Sequence, residues 1–315
     1  MLLYLTDIHF QQNNPISRKD DFVLSLERKF QEITQICKDR NVSAILCGGD
    51  IFHHWSPRYS TFFKMCRLIQ NTKTPWYVVA GNHDLRGGNL KTLDQTAVGA
   101  LARAKVVNLL TNKYTLLDGF GITGYSYQHG IEKSLAENGI DDDAHITVVH
   151  AMITENPFFG EDYVLCQNVR CSAKYLLTGH YHPGFPDFLD FNDTVYINPS
   201  ALARITCHKT DRRMPAVVLV DPILDNCELI VLQSATSINE AFVKEDTSAD
   251  WKTQISNQLV QPAEWNFDIN EVIKEVIDKC RANRGFLVDW DKVWECIKDY
   301  LELTNDVMAG SQRKD

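Results

Sequence analysis

Short apolar runs recur along the chain, and each closes on glycine, asparagine, aspartate or histidine. Leu2–Thr6, Ala44–Cys47, Thr74–Val79, Ile146–Val149 and Lys174–Thr178 are β-branched or aromatic and too short for helices, so they read as buried strands. Between them the apolar spacing changes to that of a helix. Phe22, Leu26, Phe30, Ile33, Ile36 and Cys37 mark one helix. Phe62, Met65, Cys66 and Ile69 mark a second over about 57–71, with Pro57 in its first turn and Ser56 as its cap. A third helix is predicted over 92–103. Short strand-like runs follow at Val106–Leu109, Tyr114–Leu117 and Phe120–Gly124, then an irregular stretch over 125–144 with a helix near Glu132–Asn138. A long polar and aromatic loop covers 151–169. Strand alternating with helix predicts a layered α/β domain. Thr194–Ile197, Pro215–Val220 and Cys227–Leu232 are further strands, the last two a hairpin across Asp221–Asn226, which turns the second half towards antiparallel pairing.

Around Ser234–Thr247 the pattern dissolves into polar residues, and a boundary is placed there: 1–235 as a catalytic domain, 236–315 as a small helical extension. In the extension, Ile269, Val272, Ile273, Val276, Ile277 and Cys280 line a helix over 268–283, with Asp268 and Glu271 as a capping pair. Val293, Trp294, Ile297, Tyr300 and Leu301 line another over 290–303. These helices suit a hairpin folded on the core or a surface for a partner. Residues 236–315 carry 10 Lys/Arg against 16 Asp/Glu, which is −6 of the chain's net −9. That balance argues against a broad electrostatic grip on nucleic acid, yet a domain near neutrality still meets a polyanion where bound cations supply positive charge. Apolar residues make up 44% of the chain, enough for a sizeable core. No apolar run is long enough to span a membrane. No signal peptide is expected, because the first strand begins at Leu2 and offers a metal-binding carboxylate by Asp7. Nine cysteines without a C-x-x-C pair suit reduced thiols in an intracellular compartment.

The chemistry sits where the strands end. The termini read Asp7-Ile8-His9, Gly48-Gly49-Asp50, Gly81-Asn82-His83-Asp84, His150 and Gly179-His180-Tyr181-His182. Asp7, His9, Asp50, Asn82, His150, His180 and His182 offer oxygen and imidazole donors with no thiolate. Such a set suits two divalent ions such as Mn²⁺, Fe²⁺ or Zn²⁺, with Mg²⁺ also possible. Asp-x-His and His-x-His place two ligands on one side of an extended segment. Two ions about 3.5–4 Å apart clamp a phosphate oxygen and make water nucleophilic near neutral pH. His83, beside a ligand with its ring free, is the candidate proton donor, and Asp84 is expected to orient it. Taken alone, His129, His145 and His208 read as core histidines, and His54 as an exposed neighbour. Arg58, Arg86, Arg204, Arg212 and Arg213 read as surface charges within reach of a phosphate, and Trp251 and Trp265 as packing.

As a set, D-x-H, GD, GNH(D/E), a lone H and G-H-x-H in order over about 1–232 resemble the calcineurin-like metallophosphoesterase superfamily. The resemblance implies a four-layer α/β/β/α sandwich. It assigns one metal to Asp7, His9, Asp50 and His182 and the other to Asp50, Asn82, His150 and His180, with Asp50 bridging and His83 catalytic. Gly49-Asp50-Ile51-Phe52-His53 looks like the G-D-L-F-H segment of the SbcD-type DNA repair nucleases, which places His53 against the DNA phosphate. Gly179–Pro183 and Asn198–Leu202 also look like that family. The implied activity is a Mn²⁺-dependent DNA exo- or endonuclease in repair, recombination or replication, with an SMC-like ATPase and a second copy of the chain as candidate partners. The departure is the tail: a net-acidic stretch of about eighty residues stands where those nucleases usually carry a DNA-contacting cap. A phosphomonoesterase or small-molecule phosphodiesterase is the alternative, and a non-catalytic scaffold ranks last.

Overall fold

A computed structural model of the chain describes residues 1–141, 143–158, 162–206 and 213–242, all within one unit, Met1–Glu245. The predicted helices over 268–283 and 290–303 lie outside the described residues, as do Trp251, Trp265, His208 and Arg212. Chain order begins β1 (Leu2–Leu5), α1 (Phe22–Asp39), β2 (Ala44–Cys47), α2 (Tyr59–Asn71), β3 (Trp76–Val78), α3 (Ala97–Arg103) and β4 (Asn108–Leu109). It continues β5 (Thr115–Leu117), β6 (Phe120–Tyr125), α4 (Ile131–Asn138), β7 (Ile146–Ala151), β8 (Ile153–Thr154), β9 (Val164–Leu165) and β10 (Tyr175–His180). It closes with β11 (Leu189–Phe191), β12 (Thr194–Ile197), β13 (Ala216–Asp221), β14 (Asn226–Val231) and the single turn α5 (Ile238–Ala241).

Two six-stranded sheets result. The first has the order β14-β13-β1-β2-β3-β4, the second β11-β12-β10-β7-β6-β5. In the first, β1 to β4 run parallel and β13 joins β1 antiparallel, Leu3 opposite Leu219. In the second, β6, β7, β10 and β12 run parallel, flanked by antiparallel β5 and β11.

Alternation along the strands splits the buried apolar residues into three layers of contact. Leu2, Tyr4, Ala44 and Leu46 from the first sheet pack on Ile146, Val148, Tyr175 and Leu177 from the second. Leu3, Leu5, Ile45 and Cys47 point the other way, onto Phe22, Leu26 and Phe30 of α1 and Met65 and Ile69 of α2. Val149, Leu176 and Tyr196 cover α4 through Ile131 and Leu135. The layers therefore run helices, sheet, sheet, helix, the mixed α/β sandwich expected. With both faces covered, all four residues of β1 are buried, which explains runs that are apolar throughout.

Some local expectations change. The second helix starts at Tyr59, with Arg58 as an N-cap that makes no side-chain bond. Ser56 instead gives its backbone N–H to His54 Nδ1 (3.1 Å), so Pro57 stays in the loop. The helix predicted over 92–103 breaks at Thr96: its hydroxyl caps α3 by accepting from Gly99 N, and a tight 3₁₀ stretch, Leu90–Gln95, precedes it. The short strands β8, β9 and β11 carry too few residues for a period to register.

The inter-sheet layer yields a test. Leu46 is fully buried there. Leu46→Ala is expected to lower the unfolding free energy by about 2–5 kcal/mol, read from the urea midpoint, through lost transfer energy and the cavity left behind.

Candidate metal centre

Parallel pairing of β1 with β2 aligns Leu5 with Cys47, and β2 with β3 aligns Cys47 with Val78. The segments carrying Asp7, Asp50 and Asn82 therefore leave one sheet edge together. On the other sheet β7 and β10 align His150 with Gly179, which brings His180 to the same rim. The carboxyl ends of both sheets meet here, where open α/β sheets take their ligands.

The turns that follow are strained in the same sense. Asp7 (φ 53°), His9 (φ 43°), Asp50 (φ 51°) and His180 (φ 78°) all adopt left-handed backbone. Each such residue costs on the order of 1–3 kcal/mol, and such residues gather at functional sites. Gly49 (φ 102°) is required as glycine, because a Cβ there would lie 2.6 Å from His150 Nδ1. At Gly81 a Cβ would collide with the Asp50 carboxylate.

The side chains converge in three groups, each with candidate ligand atoms within 4.8 Å of one another: Asp7, His9, Asp50 and His182; Asp50, His150 and His180; and His9, His53 and His83. Asn82 joins the second group, its Oδ1 lying 3.1 Å from His150 Nε2. All ten residues singled out in the sequence thus lie at one rim, although Asp84 does not act as expected. Asp50 belongs to two groups. Its Oδ1 accepts from His83 N (2.9 Å), while Oδ2 is buried without a hydrogen bond, 3.5 Å from His9 Nε2 and 3.6 Å from His150 Nε2. A buried carboxylate oxygen facing imidazole nitrogens from both sides needs a cation, and the donor set around it is of the kind divalent ions take.

Protonation follows from burial. Burial, then the neighbouring imidazoles, hold His9 and His150 well below the ordinary histidine value, and push His180 down to about 4. These rings are therefore neutral near pH 7, the form that binds metal. Burial raises Asp7, and raises Asp50 well above the usual carboxylate range with help from the charges of Asp84 and Asp7. Cations at the rim would reverse that penalty.

The tautomers are set from behind. His150 Nδ1–H donates to the Gly48 carbonyl (2.6 Å), which turns Nε2 towards Asn82 and Asp50. His83 Nδ1–H donates to the His53 carbonyl (2.9 Å), and the two rings stack with centroids 5.1 Å apart. This corrects the role given to Asp84. Its carboxylate accepts from the backbone N–H groups of Ile51 (3.3 Å), Phe52 (3.1 Å) and Gly81 (3.0 Å), so it staples the two loops instead of orienting His83. Burial pushes Asp84 up to about 7 in spite of those bonds.

Sequence reasoning missed several contributors. The carbonyls of Gly48 and His53 carry no side-chain signal at all. Thr6 donates its hydroxyl to Asp7 Oδ2 (2.8 Å), a contact its adjacency to the ligand could have suggested. Tyr127, from the stretch read as irregular, sets its ring 5.6 Å from His180 and 6.3 Å from His150. Two bland readings also change. Arg204 is 3% exposed rather than a surface charge, and His129 is exposed rather than in the core. His54, Arg58 and Arg86 are exposed, as expected. No helix among the described residues is long and apolar enough to cross a membrane.

The sequence profile described as calcineurin-like phosphoesterase matches residues 2–184. No curated protein matches the chain. Among solved structures, TT1561 of Thermus thermophilus is similar at 10% identity and TM-score 0.45, over 73% of this chain and 97% of its own. The sulfate thiohydrolase SoxB of Thermus thermophilus, solved with glycerol, is similar at 14% identity and TM-score 0.43, over 82% of this chain and 60% of its own. A 5'-nucleotidase precursor from Thermus thermophilus is similar at 10% identity and TM-score 0.38, over 76% of this chain and 56% of its own.

The corrected role of Asp84 is testable. Asp84→Ala strands three buried N–H groups, so a loss of about 3 kcal/mol or more in chemical denaturation is expected. Asp84→Asn, which keeps one acceptor oxygen, should lose less.

Proposed function

The chain belongs to the calcineurin-like phosphoesterase family, whose members bind a dinuclear metal site, and from that premise we propose that it is a Mn²⁺-dependent DNA nuclease. The observation that carries the reading is the meeting of His53 with His9 and His83 at the rim, on the Asp50-to-His53 segment that resembles the SbcD-type nucleases.

In this reading Asp7, His9, Asp50 and His182 would hold one ion, and Asp50, Asn82, His150 and His180 would hold the other. The pair supplies Lewis acidity towards a phosphate oxygen and a nucleophile from water at neutral pH. The remaining steps fall to the chain. Asp50 presents Oδ2 to both groups while its Oδ1 stays fixed on His83 N. With Nδ1–H committed to the His53 carbonyl, His83 in its doubly protonated form would give its Nε2 proton to the departing alkoxide and keep the one on Nδ1. His53 stacks beside it and meets a second phosphate oxygen. A groove runs on from His53, lined by Phe10, Gln11, Gln12, Asn13, His54 and Arg58. Amides, a cation and an aromatic ring suit a phosphorus that carries a substituent on each side, as in a phosphodiester. An SMC-like ATPase is the partner this reading carries with it.

Labelled single- and double-stranded DNA incubated with Mn²⁺ should give products that vanish on adding EDTA. Turnover of p-nitrophenyl phosphate with no DNA product, and none from its bis-p-nitrophenyl diester, would reassign the chain to the phosphomonoesterases. His83→Ala is expected to keep its metal by elemental analysis while turnover falls about 10²–10⁴-fold. Metal lost together with activity would contradict the role given to that ring.

A further inference from the structure

Behind the metal rim, three cationic side chains are buried together: Arg18, Lys29 and Arg204 at 5%, 1% and 3% exposure. None of them takes part in the chemistry above. We infer that residues 236–242 form a latch which, through these three side chains, positions Leu202 and Ala203 against the Asp7 loop and so sets the affinity of one of the two metal positions.

The connections run in one direction. Leu202 N–H donates to Thr6 O (3.0 Å) and Ala203 N–H to Asp7 O (3.1 Å), while Ala201 N–H donates to His182 O (3.0 Å). A strap of three residues therefore holds the backbone of Asp7 and His182, both assigned to the same ion. The strap is held in turn from its far side. Lys29 Nζ donates to the Leu202 carbonyl, and Arg18 Nη1 to the Arg204 carbonyl (2.9 Å). Arg18 also makes a two-pronged pair with Asp20, both contacts at 2.7 Å.

Residues 236–242 close over the two arginines of this cluster. Phe242 lays its ring beside both guanidinium groups, with centroids 5.1 Å from Arg18 and 5.7 Å from Arg204. Its backbone bridges Arg18, Lys19 N–H donates to Ala241 O (2.9 Å), and Arg204 donates to the Thr236 carbonyl. Burial and the two arginines push Lys29 well below its ordinary value. Opening the latch thus loosens Arg18 and Arg204 and leaves Lys29 alone to hold the strap, and Asp7 then has less to keep it in a left-handed conformation.

The inference rests on the metal assignment above but not on nuclease activity, so its test reads binding. The full chain, stripped of metal, is titrated with MnCl₂ by calorimetry, and two sites are expected for the wild type. Phe242→Leu stays apolar but removes the ring, and Lys29→Met removes the amine at nearly constant side-chain length. Each is expected to weaken one site about 10–100-fold, the range for partners that orient a ligand, and to leave the other unchanged. Phe242→Tyr should restore it. Two sites of wild-type affinity in both variants would overturn the latch. So would equal weakening of both sites with a lowered Tm, since that is what packing alone predicts. A wild type that binds no Mn²⁺ would instead sink the metal centre itself.

Discussion

One carboxylate organises this molecule. Asp50 is buried at the end of β2 with one oxygen committed to the His83 amide and the other facing imidazoles from two sheets. Left without a cation, a buried carboxylate oxygen with no hydrogen bond is costly to keep charged. The surrounding structure keeps it there. Gly81 clears the space, Asp84 ties the Asp50 loop to the Gly81 loop, and the Gly48 carbonyl aims His150 back at it. The sandwich is the scaffold that lets loops from separate sheets hold such a group in place.

Much of this was legible in the residues because the strands are buried on both faces. A strand such as Leu2–Leu5 or Ala44–Cys47 is apolar throughout, and its end is announced by the first polar residue. The ligand follows within a residue or two, so fold and candidate site were written in the same letters. The ligand types also carry their own chemistry: oxygen and nitrogen donors without thiolates point to a narrow range of ions.

What stayed hidden lies in the backbone and in contacts across long sequence separations. No pattern says that the carbonyl of His53 orients His83, because any residue has a carbonyl. Asp84 next to His83 suggested a pair, yet the turn sends its carboxylate to the three amides beneath. Arg204 resembled a surface charge because its partners, Thr236 and Phe242, are remote in sequence and ordinary in composition. Helix starts failed for a similar reason. Ser56 looked like a cap but found a neighbouring ring first.

The pairing of the first strand with β13 has a consequence for synthesis. Leu3 lies opposite Leu219, so β1 keeps an open flank until more than two hundred residues have left the ribosome. An unpaired, wholly apolar strand edge is a template for the wrong neighbour during that wait. The nascent chain therefore carries an aggregation-prone flank at β1 until β13 arrives, and any termination before Ala216 leaves that flank open.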